Sequence, residues 1–194
     1  MSLIEKMREI AERSATMPSH SRAELAVFID ENSVFTLTDG SVYSRVCYDF
    51  RDTLGSCGAP YDVYLTADYE TVMVKYKALI SLVPADTPLS DSLQESAAKQ
   101  EIPLLKINEN NCDISTAKVR KFLTGAGVHV YSDSDAVIYA NDSYLFLHTV
   151  HDGIQSLKMP HGVRLYEVFE AKSFPVEFES ASGESYLFEY KKEM

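Results

Sequence analysis

Apolar positions along this 194-residue chain alternate between helical spacing and short continuous runs in its first part and form closely spaced strand signals in its last, and that change divides it. Between Leu3 and Thr16, residues Leu3, Ile4, Met7, Ile10 and Ala11 recur at helical spacing against Glu5, Lys6, Arg8, Glu9, Glu12 and Arg13, which predicts an amphipathic helix. It stops at the breaker stretch Met17-Pro18-Ser19-His20-Ser21 and reads as a connector entering a domain. Leu25-Ala-Val-Phe-Ile29 is a continuous apolar run of the kind found in strands buried on both faces. Val42, Val46, Phe50 and Leu54 then repeat every four residues, predicting a helix over 41–54 that Gly55 closes as C-cap. The alternation continues with strands at Tyr61–Leu65, Ala78–Val83 and Pro103–Ile107. A helix over 90–100 is capped by Ser90 or Asp91, and another over 116–123 ends at Gly125-Ala126-Gly127 and leads into a strand at Val128–Tyr131. Strands alternating with helices predict a parallel sheet covered on both faces.

From Ala136 the pattern changes and strand signals come close together. Strand signals at 136–140, 144–150, 154–159, 163–169, 176–179 and 186–190 are separated by turn residues at Asn141-Asp142-Ser143, Asp152-Gly153, Pro160-His161-Gly162 and Ser182-Gly183. This spacing predicts successive antiparallel hairpins with no helix, and residues 135–143 mark the changeover. The expected fold class is therefore α/β, a parallel sheet with helices on both faces, followed by a small antiparallel β-rich extension.

Composition narrows the function. At roughly 150 residues per domain the chain holds one domain, or one domain carrying a small appendage, and 12 Tyr with 9 Phe mark a folded protein. The 18 Lys+Arg against 29 Asp+Glu leave a net charge of −11, and no basic run offsets it, so nucleic acid is not expected as a partner. No apolar stretch approaches the length of a membrane span, and no signal peptide is recognised in this segment. Three cysteines, Cys47, Cys57 and Cys112, fit reduced thiols and a cytoplasm-compatible protein rather than a disulfide framework.

The candidate chemistry is sparse. Gly55-Ser-Cys-Gly-Ala59 resembles a nucleophile elbow, but Cys57 follows a helix and precedes a strand, the reverse of the required order. A cysteine-dependent hydrolase using Cys57 or Cys112 stays a named alternative. Gly125-Ala126-Gly127 lacks the third glycine of a dinucleotide loop, and no phosphate-cradling loop is present. His148, His151 and His161 with Asp152 have loose ligand spacing without implied convergence, and His129 reads as a packed histidine. No metal site, cofactor or catalytic residue is expected. Tyr61, Tyr64, Tyr69, Tyr131, Tyr139 and Tyr144 are available to stack on sugars, although tyrosines in strands commonly serve sheet packing. In open parallel sheets a pocket lies beyond the carboxyl ends of the strands. The residues expected there are Asp30, Glu31, Asp68, Asn108, Ser132 and Asp133, a set without a base or nucleophile of the usual kinds.

Three stretches have a familiar order. Ser21-Arg-Ala-Glu-Leu-Ala-Val-Phe-Ile-Asp-Glu31, Gly58-Ala-Pro-Tyr-Asp-Val-Tyr-Leu65 and Gly127-Val-His-Val-Tyr-Ser-Asp133, followed by 137–142 and 145–153, resemble the domain after the catalytic barrel in β-galactosidase-like glycoside hydrolases related to family 42. The resemblance implies a flavodoxin-like, class I glutamine amidotransferase-like fold without the amidotransferase catalytic triad, and a short C-terminal β-domain. It divides the chain into a connector helix (1–20), an amidotransferase-like α/β domain (21–143) and a β-rich extension (144–194). It also implies that the catalytic glutamates lie on a (β/α)8 barrel of a longer natural chain, so the expected role is a non-catalytic accessory domain that supports the barrel and oligomer contacts. Implied partners are that barrel and further copies of the protein. A stand-alone carbohydrate-binding or regulatory protein is the other alternative. Detached from its barrel, the connector helix is expected to expose its Ile4, Met7 and Ile10 stripe.

Overall fold

A computed structural model describes residues 3–37 and 40–192, so the first two residues of the expected connector, residues 38–39 and the last two residues of the expected extension lie outside the described residues. The first strands are β1 (Leu25–Ile29), β2 (Tyr61–Leu65), β3 (Ala78–Leu82) and β4 (Leu104–Ile107), all parallel and ordered β2-β1-β3-β4. This is the beginning of the doubly wound 2-1-3-4-5 order. Alternate residues of β1 enter opposite layers, as strand geometry requires. Leu25 and Val27 pack with Val46, Phe50 and Leu54 of the first helical run and with Val119 and Leu123 of α6 (Thr116–Gly125). Ala26 and Phe28 pack with Tyr69 of α4 (Tyr69–Val72), with Met73 beyond it, and with Leu93 and Ala97 of α5 (Pro88–Lys99).

The first helical run joins α2 (Gly40–Tyr43), a π-helical segment (Ser44–Asp49) and α3 (Phe50–Gly55) without a break. A strict four-residue repeat drifts by about 40° per step on an α-helix. The wider π turn takes up that drift and keeps Val46, Phe50 and Leu54 buried on one side. Gly55 is not the C-cap; the helix includes it, Ser56 caps, and the left-handed backbone comes at Gly58 with φ 77°. α5 begins earlier than expected, at Pro88, because Thr87 rather than Ser90 or Asp91 is its N-cap. The Thr87 and Ser90 side chains each bond the other's backbone, forming a capping box.

Val128–Tyr131 is not a strand. It crosses the amino ends of the parallel strands, with the Tyr131 and Ser132 amides donating to the Gly58 carbonyl and the His129 amide donating to Glu24 Oε2. A Cβ on Gly58 would lie 2.0 Å from the Ser132 carbonyl oxygen, so the crossing requires glycine there.

The antiparallel part comprises β5 (Ala136–Ala140), β6 (Tyr144–Thr149), β7 (Gly153–Ser156), β8 (Val163–Glu167), β9 (Lys172–Phe174), β10 (Glu177–Ser180) and β11 (Ser185–Lys192). Five of them form a sheet ordered β5-β6-β11-β8-β9, while β7 pairs with β10 alone. The expected hairpin between 144–150 and 154–159 is therefore absent: at Asp152-Gly153 the chain leaves the sheet instead of folding back on β6. β9, unmarked in the sequence, completes a hairpin with β8. One face of the large sheet buries Ile138, Leu145, Leu147, Leu165 and Phe188. Across the other lies α1 (Leu3–Ser14), held by Lys6 Nζ donating to the Phe169 carbonyl and by an ion pair from Arg13 to Glu189.

Candidate functional site

Asp30, Glu31, Asp68 and Asn108 sit beyond the carboxyl ends of the parallel strands, where the order reverses between β1 and β3 and a ligand crevice is expected. The side chains of Asp30, Glu31 and Asn108 are used by the fold. Asp30 is fully buried, accepts from the Asn32 and Ser33 amides through Oδ1 and from the Thr87 hydroxyl through Oδ2. It thus caps the 3-10 turn at Glu31–Thr36 and ties the end of β1 to the cap of α5. Glu31 Oε2 accepts from the Thr66 amide, 3.2 Å away, joining the ends of β1 and β2. Asn108 Oδ1 accepts from the Asn110 amide in a local turn, and Asp68 is exposed.

Ser132 and Asp133 are not with them. Because 128–131 crosses below the sheet, both residues lie at its amino end, where Ser132 Oγ accepts from the Ser134 amide and Asp133 pairs with Lys158 at 2.6 Å. The six expected residues do not form one site.

A different group converges. On β5 and β6, Tyr139 and Phe146 are register partners, so both rings stand on the sheet face that α1 partly covers. Tyr144, two residues before Phe146, shares that face. With Tyr61 and Asp62 from β2 and Asn141 from the hairpin tip, they line a cavity of ≈ 360 Å³ that Ile10 and Ser14 of α1 close on one side. Three of the six tyrosines singled out in the sequence, Tyr61, Tyr139 and Tyr144, are therefore neighbours. The others are elsewhere: Tyr64 bonds Tyr76, Tyr69 is buried under the sheet, and Tyr131 borders a separate cavity with Tyr190. Asp62 is well defined, with Oδ1 accepting from Ser21 Oγ at 2.9 Å and Oδ2 from the Tyr76 hydroxyl at 2.7 Å. Burial pushes the Tyr61 hydroxyl up to about 12, so it remains a donor at neutral pH.

No family profile and no curated protein sequence matches the chain. Solved structures do. A β-galactosidase from Bacillus circulans sp. alkalophilus superposes with a TM-score of 0.68 at 11% identity, covering 96% of this chain and 44% of that one. A catalytic mutant of Gan42B, a GH42 β-galactosidase from G. stearothermophilus, gives 0.64 at 9% identity, covering 95% and 43%. The apo exo-carrageenase GH42 from Bacteroides ovatus gives 0.56 at 9%, covering 89% and 29%. The chain has the fold of part of a GH42 β-galactosidase. The resemblance read from its sequence holds at the level of fold, and the chain spans less than half the length of each of these proteins.

Within this GH42-like fold the thiols are poorly placed for nucleophilic work. Burial pushes Cys57 up to about 11, and Arg120 bonds the Cys57 carbonyl rather than the sulfur. Cys47 is likewise pushed up to about 11 by burial, and Cys112 donates to the Glu109 carbonyl. The histidines diverge: His148 bonds Ser185, His151 is 3.9 Å from Asp135, and His129 bonds the Lys158 carbonyl. Among the described residues no group of three or more His, Cys, Asp or Glu side chains comes together as a metal site.

Proposed function

We propose that this chain is a non-catalytic accessory domain of a β-galactosidase-like glycoside hydrolase, with an amidotransferase-like α/β core that supports a catalytic barrel and contacts between copies. The observation that carries this reading is the coverage: nearly all of this chain matches, against less than half of the GH42 chains. The strand-end carboxylates agree with it, since Asp30 and Glu31 serve structure. So does α1, whose Ile4 and Met7 are 79% and 55% exposed, as expected of a connector helix, while Ile10 is half-buried.

Two measurements test it together. The reading frame upstream is expected to encode an α/β barrel of roughly 350 to 450 residues, the size of a barrel with insertions. The purified 194-residue chain is expected to leave a chromogenic β-galactoside intact, while the barrel-containing protein cleaves it. Turnover by the isolated chain, or a frame without a barrel, overturns the proposal.

A further inference from the structure

We infer that the cavity between α1, the start of β2 and the β5–β6 hairpin binds a neutral hexopyranose. A pyranose has an apolar face of C–H groups and a rim of hydroxyls, and it needs an aromatic platform beside fixed polar groups. The cavity has both. Tyr139 and Phe146 place their ring centroids 6.1 Å apart with the planes tilted by 43°, and Tyr139, on the edge strand β5, is 57% exposed. Opposite them, Asp62 is held by Ser21 and Tyr76, which leaves its oxygens with acceptor capacity in a set orientation. Asn141 Oδ1 accepts from the Ser143 and Tyr144 amides, fixing the plane of the amide, and no bond among the described residues uses its Nδ2 donors.

Charge and size select the ligand class. Among the described residues Asp62 is the one charged side chain in the lining, Arg13 beside Tyr144 is paired with Glu189, and the chain carries −11, so phosphates and carboxylates are disfavoured. At ≈ 360 Å³ the cavity is near the lower end of the range for small-molecule sites, about 300 to 1,000 Å³, which suits a single sugar unit with some water. The inference does not depend on the accessory-domain reading, because it concerns what this chain binds and not whether a barrel precedes it.

The test is a titration of the whole chain with methyl β-galactoside and methyl β-glucoside, followed by saturation-transfer NMR and calorimetry, with benzylamine as a cationic aromatic probe. Saturable binding of a methyl hexoside with a Kd of order millimolar is expected. Tyr139→Ala should weaken it by about fivefold to tenfold, and Tyr139→Phe should retain it, with unchanged circular dichroism for both. The inference is overturned if neither sugar saturates at tens of millimolar, if benzylamine alone binds, or if Tyr139→Ala binds as tightly as the parent.

Discussion

Arg13 Nη2 on α1 lies 2.9 Å from Glu189 Oε2 on β11, and the Glu189 side chain is only 6% exposed. Lys191 pairs with the other carboxylate oxygen. The Arg13 guanidinium is held above its ordinary range by its hydrogen bond to Tyr144, with Glu189 adding to the effect. A cavity of ≈ 230 Å³ separates α1 from β8 on one side of this contact, and the aromatic cavity lies on the other. The helix is thus seated by polar bonds more than by packing.

Arg13→Ala is therefore expected to cost about 1–2 kcal/mol, below the range for a wholly buried pair because the arginine is partly exposed. Hydrogen exchange resolved along the chain should show the loss concentrated in α1. A global shift with α1 protection unchanged would show that the helix is not fastened there.

Asp30 serves the fold, and its removal separates that role from ligand binding. Asp30→Ala strands the Thr87 hydroxyl and two turn amides, so urea unfolding should show a loss of about 2–4 kcal/mol. Asp68→Ala, at an exposed position, should stay within about 0.5 kcal/mol. A neutral or stabilising Asp30→Ala would instead mark a carboxylate strained for binding.

Gly58 and Gly127 both have φ near +75°, at 77° and 74°, but only the first is crowded. Gly127→Ala should cost about 1–2 kcal/mol, the price of a left-handed alanine. Gly58→Ala adds a backbone collision with Ser132 and should cost about 3 kcal/mol or more, or prevent folding. Thermal unfolding of the two variants side by side makes the comparison.

Alkaline stability follows from the buried thiols. Desolvation of the charged form pushes Cys47 and Cys57 up to about 11 and Tyr61 up to about 12. The unfolded chain releases the same protons near pH ~8.5 for the thiols and ~10 for the tyrosine. Above those values the folded state binds more protons, so stability falls as pH rises. The contribution is complete below pH ~8.5 and is lost through about 11 to 12. The urea midpoint should hold to about pH 8 and drop by about pH 10.5, with Cys57→Ala reducing the drop. Over the neutral range, Cys57 should label with a thiol reagent only after unfolding.

Much of the fold is legible in local pattern because burial imposes period. Leu25–Ile29 is apolar throughout since helices cover both its faces, and Tyr144–Thr149 carries the alternation of a strand with two unlike sides. The strand-end residues Asp30, Glu31, Asp68 and Asn108 were placed by chain order alone. Val128–Tyr131 misleads because a buried crossing segment needs the same Val-rich character as a strand, and only the Gly58 contact reveals its path. For the same reason Ser132 and Asp133 moved to the opposite end of the sheet. Sequence period cannot state which of six tyrosines meet, since Tyr61 and Tyr139 come from different sheets. Their meeting depends on how the two sheets and α1 pack, a relation between distant segments that no local spacing encodes.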